Sequence, residues 1–241
     1  MLKNRIILVT GGATGIGLSI AQALAGHGAE LIITGTTQAQ IDDAVPKLGF
    51  YATGSVADVS KVADVERLIS RIRATHGRLD VLIVTALNNC NPPIEDITEK
   101  AFDQTFNTSV KGVMFTVEAA RPMMADGGSI VIVGDSAPID QRQGTSLSRA
   151  AKSALQCLVE GWTVELKEVG VRVNLLNTGS AASLIGSEQS DLTRQHFFCT
   201  KRKRWSYEHS SAQREIVNVA TFLASDTSCY LYGVELVVNK F

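Results

Sequence analysis

A glycine-rich loop near the N-terminus, at residues 10–17, constrains the fold of this chain more than any other stretch. The apolar run at residues 6–9 precedes it and is rich in β-branched side chains, as buried parallel strands are. After the loop, apolar residues recur at helical spacing until Gly26 and Gly28 interrupt the pattern. A second apolar run follows at residues 31–33. The order of strand, glycine loop, helix and strand predicts a βαβ unit.

The loop has the composition of a phosphate-binding turn. Gly11, Gly15 and Gly17 lack a β-carbon, so the chain can turn sharply and a pyrophosphate can approach the amides at the helix N-terminus. We expect Thr14 and Ile16, which lie among these glycines, to contact the same ligand. A glycine pattern alone would also suit an ordinary strand-to-helix turn. The flanking strands and the helix favour dinucleotide binding instead.

Length and composition suit one cytoplasmic α/β domain that binds a small molecule. The chain has 241 residues without a linker, repeat or low-complexity tract, which predicts a single domain over residues 1–241. Its net charge of −1 provides no field to recruit nucleic acid or an anionic membrane. The four cysteines are widely spaced and form no CxxC pair, which favours reduced thiols over disulfides or a metal site. The N-terminus enters the first strand directly, so we expect no signal peptide.

The residues that end the second strand bear on the choice of cofactor. An acidic side chain at this position binds the ribose hydroxyls of NAD, whereas a basic one pairs with the phosphate of NADP. Gly35, Thr36 and Thr37 stand here, so no carboxylate repels a phosphate and no arginine holds it. The two hydroxyls favour NADP slightly over NAD. Alternatively, the threonines only cap the next helix.

Several segments in register resemble the short-chain dehydrogenase/reductase family. The loop has the spacing TGxxxGIG, the pair Asp58-Val59 matches residues that meet the adenine ring in that family, and residues 223–226 match its closing helix. The resemblance covers nearly the whole chain. It implies a Rossmann-type, doubly wound α/β fold of seven mostly parallel strands, with helices on both faces and ligands at the carboxyl ends of the strands. It also implies NAD or NADP as the cofactor.

The catalytic positions of that family are mostly changed in this chain. The tyrosine, serine and asparagine of the family fall at Ser148, Asp135 and Ser109, while its lysine is kept as Lys152. In the family, the tyrosine donates a proton as the hydride arrives, and the lysine holds the nicotinamide ribose. A serine is far less acidic than a tyrosine, so ordinary carbonyl reduction should be slow. Asp135 could serve as a general acid or could simply pair with Lys152.

Other positions that contact the cofactor in the family depart from its pattern to differing degrees. The Pro-Gly that follows the sixth strand becomes Thr178-Gly179, and the hydroxyl that grips the nicotinamide carboxamide falls at Ser183. The Asn-Asn-Ala-Gly of the family becomes Val-Thr-Ala-Leu at residues 84–87. We expect Leu87 to narrow the channel beside the cofactor or to move the loop.

The resemblance also implies a substrate lid and an oligomer. Residues 180–212 are polar and irregular, as the lid of the family is, and they include His196, His209 and a basic stretch at residues 201–204. We interpret the histidines as structural and the basic stretch as a solvated loop. The helix at residues 98–124 corresponds to one of the pair that forms dimers, so we expect a homo-oligomer, either a dimer or a tetramer.

Three functions fit these departures. The first is an NAD(P)(H)-dependent oxidoreductase of altered chemistry, which transfers a hydride to a carbonyl or an activated alkene, since the dienoyl-CoA reductases of the family also carry Ser-xxx-Lys. The second is an inactive pseudoenzyme that binds cofactor or pairs with an active homologue in a hetero-oligomer. The third is a non-redox lyase or isomerase with Asp135 as its base. The retained loop, Asp58 and Lys152 argue against a complete loss of cofactor binding, and we favour the first.

Overall fold

A seven-stranded sheet forms the centre of the protein in a computed structural model that describes residues 2–86, 92–134, 146–178 and 205–238. Its strands are β1 (Ile6–Thr10), β2 (Glu30–Gly35), β3 (Ala52–Val56), β4 (Leu79–Ala86), β5 (Met124–Gly134), β6 (Arg172–Asn177) and β7 (Glu235–Val237). They lie in the order β3-β2-β1-β4-β5-β6-β7, and each neighbouring pair is parallel. The predicted seven-stranded Rossmann-type sheet is confirmed.

Helices cover both faces of this sheet. Those in the described ranges are α1 (Gly15–Gly26), α2 (Gln38–Ala44), α3 (Val62–His76), α4 (Glu99–Phe106), α5 (Gly112–Ala120), α6 (Ser146–Lys167) and α7 (Trp205–Ala224). Along β1, Ile7 and Val9 pack with α1, α2 and α7, whereas Ile6 and Leu8 pack with α3, α5 and α6. Strands buried on both faces explain the continuous apolar runs of the sequence. None of the described helices could span a membrane by length and hydropathy.

The direction in which strands are added to the sheet reverses between β1 and β4. β2 and β3 extend the sheet on one side of β1, and β4 to β7 extend it on the other. The carboxyl ends of β1 and β4 lie side by side, with Thr10 opposite Val84. In open α/β sheets, such a switch point leaves a crevice in which ligands bind. The glycine loop directly follows β1 and therefore lies at this crevice.

The long helix predicted over residues 98–124 is interrupted twice. A π-helical turn at Asn107–Lys111 follows α4, and a 3₁₀ turn at Arg121–Met123 follows α5. The second interruption has a direct cause, because Pro122 has no amide proton and cannot continue an α-helix. β5 therefore begins at Met124, where the predicted helix was to end.

The last helix and the last strand also differ in length from the prediction. α7 begins at Trp205, so part of the segment at residues 180–212, which was predicted to be irregular, is helical. β7 is short and covers only Glu235–Val237. Gly233 has a left-handed φ of 70°, which a strand residue does not adopt, and this delays the start of the strand.

Candidate cofactor and active site

Hydrogen bonds from neighbouring strands fix the shape of the glycine loop. The Gly11 amide donates to Thr34 Oγ1 on β2 at 3.0 Å, and the Ala13 amide donates to the Thr34 carbonyl at 3.1 Å. On the other side, Thr85 of β4 donates its hydroxyl to the Thr10 carbonyl at 2.8 Å. Both neighbours of β1 therefore position the loop at the crevice.

The loop is closely packed at Gly11 and Gly17 and open at Gly15. A β-carbon on Gly17 would lie 2.3 Å from the Gly11 carbonyl oxygen, and one on Gly11 would lie 2.3 Å from Thr85 Oγ1. Gly15 has a left-handed φ of 53°, which favours glycine, but no described atom lies within 4 Å of the place its β-carbon would take. Glycine is therefore required by packing at two positions and by backbone conformation at the third.

The loop and the first turn of α1 fit the pyrophosphate of a dinucleotide. Within the described chain, the N-cap residue Thr14 makes no capping hydrogen bond through its side chain, so the first amides of this 12-residue helix are available to an anion. Thr14 and Gly15 are exposed, whereas Ile16 is buried in the core beneath α1. Ile16 can therefore offer a backbone amide to such a ligand, but its side chain belongs to the core.

Gln40 connects the two threonines that follow β2. Its backbone amide donates to Thr37 Oγ1 at 3.3 Å, so Thr37 caps α2 and the capping interpretation is correct for this residue. Thr36 donates its amide at 2.9 Å and its hydroxyl at 3.1 Å to Gln40 Oε1. Because the one proton of the Thr36 hydroxyl is directed at Gln40, this hydroxyl is left as an acceptor, which suits a ribose hydroxyl better than a phosphate.

The Asp58-Val59 pair lies at the carboxyl end of β3, close to the start of α5. Asp58 Oδ1 accepts from the amide of Ser60 at 3.0 Å and from its hydroxyl at 2.7 Å, and Lys61 Nζ lies 3.6 Å from Asp58 Oδ2. A β-carbon on Gly112 would lie 2.7 Å from the Val59 carbonyl oxygen. The close approach of α5 holds this segment beside the ligand edge of the sheet.

Ser109 lies in the π-helical turn between α4 and α5. Its side chain is 5% exposed, and the turn contacts both β4 and α6. π-Helical turns within α-helices recur at functional sites. The turn therefore places Ser109 between the strand that borders the crevice and the helix that carries Ser148 and Lys152.

Ser148 and Lys152 lie one turn apart on the same face of α6. The Lys152 ammonium forms an ion pair with Glu235 of β7, with Nζ 2.9 Å from Oε1. Gln156, one further turn along α6, also donates to this carboxylate. Burial alone would raise the pKa of Glu235, but hydrogen bonds from Lys152 and Gln156 and the charge of Lys152 outweigh it and hold the pKa below its usual value.

Asn177, at the end of β6, completes the group around the Glu235 carboxylate. Its side-chain amide donates to Glu235 Oε1, and the residue is fully buried. Its own Oδ1 atom has no hydrogen-bond partner among the described residues and lies 3.0 Å from the place that a β-carbon on Gly134 would take. Glu235, Gln156 and Asn177 could not be predicted from the sequence, because no spacing pattern links β7, α6 and β6 before they come together in the fold.

Several predicted site residues lie outside the described ranges. These are Asp135, Gly179 and Ser183, together with Leu87 and the segment at residues 180–204 that contains His196. The side chain of His209 is likewise outside the description. Their predicted roles remain predictions.

Sequence comparisons identify the family of this Rossmann-type α/β protein. A family model described as enoyl-(acyl carrier protein) reductase matches residues 11–240. Oxidoreductase asL5 of Sarocladium schorii is 31% identical over 240 residues, which cover 99% of this chain and 95% of that protein. Human dehydrogenase/reductase SDR family member 4 is 32% identical over 250 residues, which cover 99% and 87%. The chain therefore belongs to the short-chain dehydrogenase/reductase family, a family of oxidoreductases that use NAD or NADP.

Solved structures share the fold over nearly the whole chain. A short chain dehydrogenase from Mycobacterium smegmatis superposes with a TM-score of 0.81 at 26% identity and covers 99% of this chain and 93% of its own. The NADH-dependent reductase A1-R', solved as a complex with NAD, superposes with a TM-score of 0.78 at 24% identity and covers 98% and 95%. At 24% identity, the match to the NADH-dependent reductase shows only that the two proteins share a fold.

Proposed function

We propose that this protein is an NAD(P)(H)-dependent oxidoreductase with an altered active site, which transfers a hydride to a carbonyl or an activated alkene. The observation that carries the proposal is the glycine loop at the switch point, where Gly17 has no room for a β-carbon while no side chain of the described residues fills the space beyond Gly15. Membership in the family and likeness to a dehydrogenase/reductase support the same function.

The dinucleotide would be held along the carboxyl edge of the sheet. The amides of Gly15, Ile16 and Gly17, with Gly11 and Thr14 beside them, would hold its pyrophosphate, because a helix N-terminus attracts anions. Asp58, Val59 and Thr36 would bind the adenosine end, and Gly179, Ser183 and Lys152 the nicotinamide end. When bound, NAD(P)H supplies the hydride.

The residues nearest the reacting atoms would be Ser148, Ser109 and Asp135, with Lys152 as the cation. Ser148 cannot donate a proton as a tyrosine would, since a serine hydroxyl is far less acidic. We expect carbonyl reduction to be slower than in relatives that have the tyrosine by about 10² to 10⁴-fold, the usual contribution of general acid catalysis. An activated alkene, whose final proton can come by another route, is the substrate class that tolerates this loss best.

Thr36 offers a test of cofactor choice. Thr36→Arg should shift the ratio of affinities toward NADPH by about tenfold, because a guanidinium pairs with the phosphate and the hydrogen bond from the hydroxyl to Gln40 is lost. Thr36→Asp should shift it toward NADH. The dissociation constants of both cofactors measure the ratio, and Thr37→Ser, which keeps the cap of α2, is the control. An unchanged ratio of NADPH and NADH affinities in both Thr36 variants would show that the adenosine end of the cofactor does not bind beside Thr36. For the wild type we propose a slight preference for NADP, because no carboxylate stands here to repel its phosphate. The preference is slight because the Thr36 hydroxyl, whose proton is directed at Gln40, offers that phosphate no donor.

We also propose that the protein forms a homo-oligomer, a dimer or a tetramer, through α4, α5 and α6. Large apolar side chains on these helices are exposed: Phe102 by 46%, Met114 by 45% and Val164 by 75%. Phe102 also stacks on Phe106, with 4.4 Å between the ring centroids. Exposed apolar side chains on all three helices suit an interaction surface. The same surface would serve a hetero-oligomer with an active homologue.

A pseudoenzyme that binds cofactor is the second candidate, and the ion pair between Lys152 and Glu235 favours it. In this structure Lys152, the one catalytic residue of the family pattern that the chain keeps, already has a carboxylate partner on strand β7. A protein of this kind would bind the dinucleotide and act as a subunit or sensor without turnover.

A substrate screen separates the two candidates. Oxidation of NADPH and NADH, followed by the loss of their absorbance, should be tested with ketones, aldehydes, and enoyl and dienoyl thioesters. We expect faster turnover with a thioester than with any simple ketone. Cofactor binding without turnover of any of these classes would favour the pseudoenzyme.

A further inference from the structure

We infer that Glu235 is a positioning residue that withholds Lys152 from the cofactor, so that NAD(P)(H) competes with this carboxylate for the Lys152 ammonium. The inference rests on the proposed function, since it concerns the binding of the dinucleotide. It adds a residue of β7 that determines how tightly the cofactor is held.

Side chains from two elements surround the carboxylate of Glu235. Glu235 accepts hydrogen bonds from Lys152 and Gln156 of α6 and from Asn177 of β6. Asn177 is fully buried at the end of β6, and Gln156 lies one turn from Lys152 on α6. Both the sheet and the helix therefore hold the carboxylate in place. A carboxylate held by several donors, one of them charged, is a strong and specific anchor for a lysine.

β7 lies at one end of the sheet, four strands from β1. β7 is an edge strand, and β4, β5 and β6 lie between it and β1, which leads into the glycine loop. At about 4.8 Å between neighbouring strands, β7 is about 19 Å from β1. The ion pair therefore draws Lys152 toward β7, one strand beyond β6, which leads to Gly179 and Ser183 at the expected nicotinamide end.

The ion pair also changes the charge that Lys152 presents to the cofactor. Lys152 is 25% exposed and Glu235 is 29% exposed, so the pair is partly shielded from water and has no net charge. A dinucleotide is an anion, and a neutral pair attracts it less than a free ammonium does. No tyrosine stands at position 148 to engage the ammonium, because Ser148 occupies that turn of α6.

Titration of five proteins with NADH and NADPH, followed by cofactor fluorescence, tests the inference. They are the wild type, Glu235→Gln, Lys152→Met, the double variant and Glu160→Gln. Glu160 is exposed two turns after Lys152 on α6, so Glu160→Gln removes a negative charge from the same helix without changing the pair. Melting curves establish that each variant is folded.

Glu235→Gln should bind the cofactor about fivefold more tightly than the wild type, the effect of losing one partly exposed ion pair. Glu160→Gln should bind as the wild type does, and Glu235→Gln should have no further effect in the Lys152→Met background. Unchanged or weaker binding by Glu235→Gln, when the wild type binds cofactor, would overturn the inference and leave the proposed function standing. An equal gain in the Lys152→Met background would also overturn it. If none of the five binds, the proposed function fails as well.

A measurement on the cofactor-free protein tests the pair itself. Trace labelling with acetic anhydride, read by mass spectrometry, reports how available the Lys152 amine is, with the other lysines as internal references. Lys152 should be acetylated more slowly in the wild type than in Glu235→Gln, because the carboxylate holds its ammonium. Equal rates in the two proteins would overturn the inference.

Discussion

Gly17→Ala is expected to weaken NAD(P)H binding by about a hundredfold and to lower the free energy of unfolding by about 1–3 kcal/mol. A β-carbon at this position would lie 2.3 Å from the Gly11 carbonyl oxygen. This oxygen belongs to the backbone, so it can move away only if the loop itself moves. The loop must shift, and two hydrogen bonds to a charged phosphate, each worth about 1.5–3 kcal/mol, are enough to account for the lost affinity. Cofactor titration and urea denaturation measure the two effects.

Gly26→Ala is the matched control for this substitution, since it adds the same methyl group at the other end of α1. No described atom lies within 4 Å of the place its β-carbon would take, and Gly26 is not among the glycines with a left-handed φ. This variant should bind cofactor normally and should gain up to about 1 kcal/mol of stability from the better helix propensity of alanine. Normal cofactor binding by Gly17→Ala would show that the loop does not hold the pyrophosphate.

Ser148→Tyr should raise the rate of NAD(P)H-dependent carbonyl reduction by about 10² to 10⁴-fold. Ser148 stands one turn before Lys152 on the same face of α6, which is the spacing of tyrosine and lysine in the family. A phenol there restores a proton donor that the serine cannot replace. The rate is measured with a simple ketone at saturating cofactor.

Ser153→Tyr is the control for the added ring. Ser153 is exposed and follows Lys152 directly, so its side chain leaves the helix in another direction. It should leave the rate unchanged. A rate for Ser148→Tyr no higher than that of the wild type would mean that the missing tyrosine does not limit the chemistry.

The sequence predicted those parts of the fold that depend on local patterns. The apolar runs at β1 and β2 and the glycines between β1 and α1 were sufficient for the βαβ unit, because strands buried on both faces have little freedom in composition. The seven-stranded parallel sheet followed from the resemblance to the family. The boundaries were less accurate where a single residue overrides a periodic pattern, as Pro122 does after α5 and Gly233 does before β7.

Only those parts of the candidate site that belong to a sequence motif could be predicted. The glycine loop, Asp58 and the pair of Ser148 and Lys152 were found because each has a fixed spacing within one or two elements. Glu235 was not, because its contact with Lys152 depends on how β7 and α6 pack in three dimensions. The role of Gln40 was missed for a simpler reason, since an exposed glutamine in a helix gives no signal until its partners, Thr36 and Thr37, are seen.

Titration of the purified protein with NADPH and NADH shows whether the glycine loop at the switch point binds a nicotinamide dinucleotide. Cofactor fluorescence should saturate for at least one of the two, with a Kd between about 1 μM and 1 mM, the range in which enzymes usually bind their substrates. The signal should be lost in Gly17→Ala and kept in Gly26→Ala. Absence of saturable binding of both cofactors to the folded wild-type protein at millimolar concentration would contradict the claim.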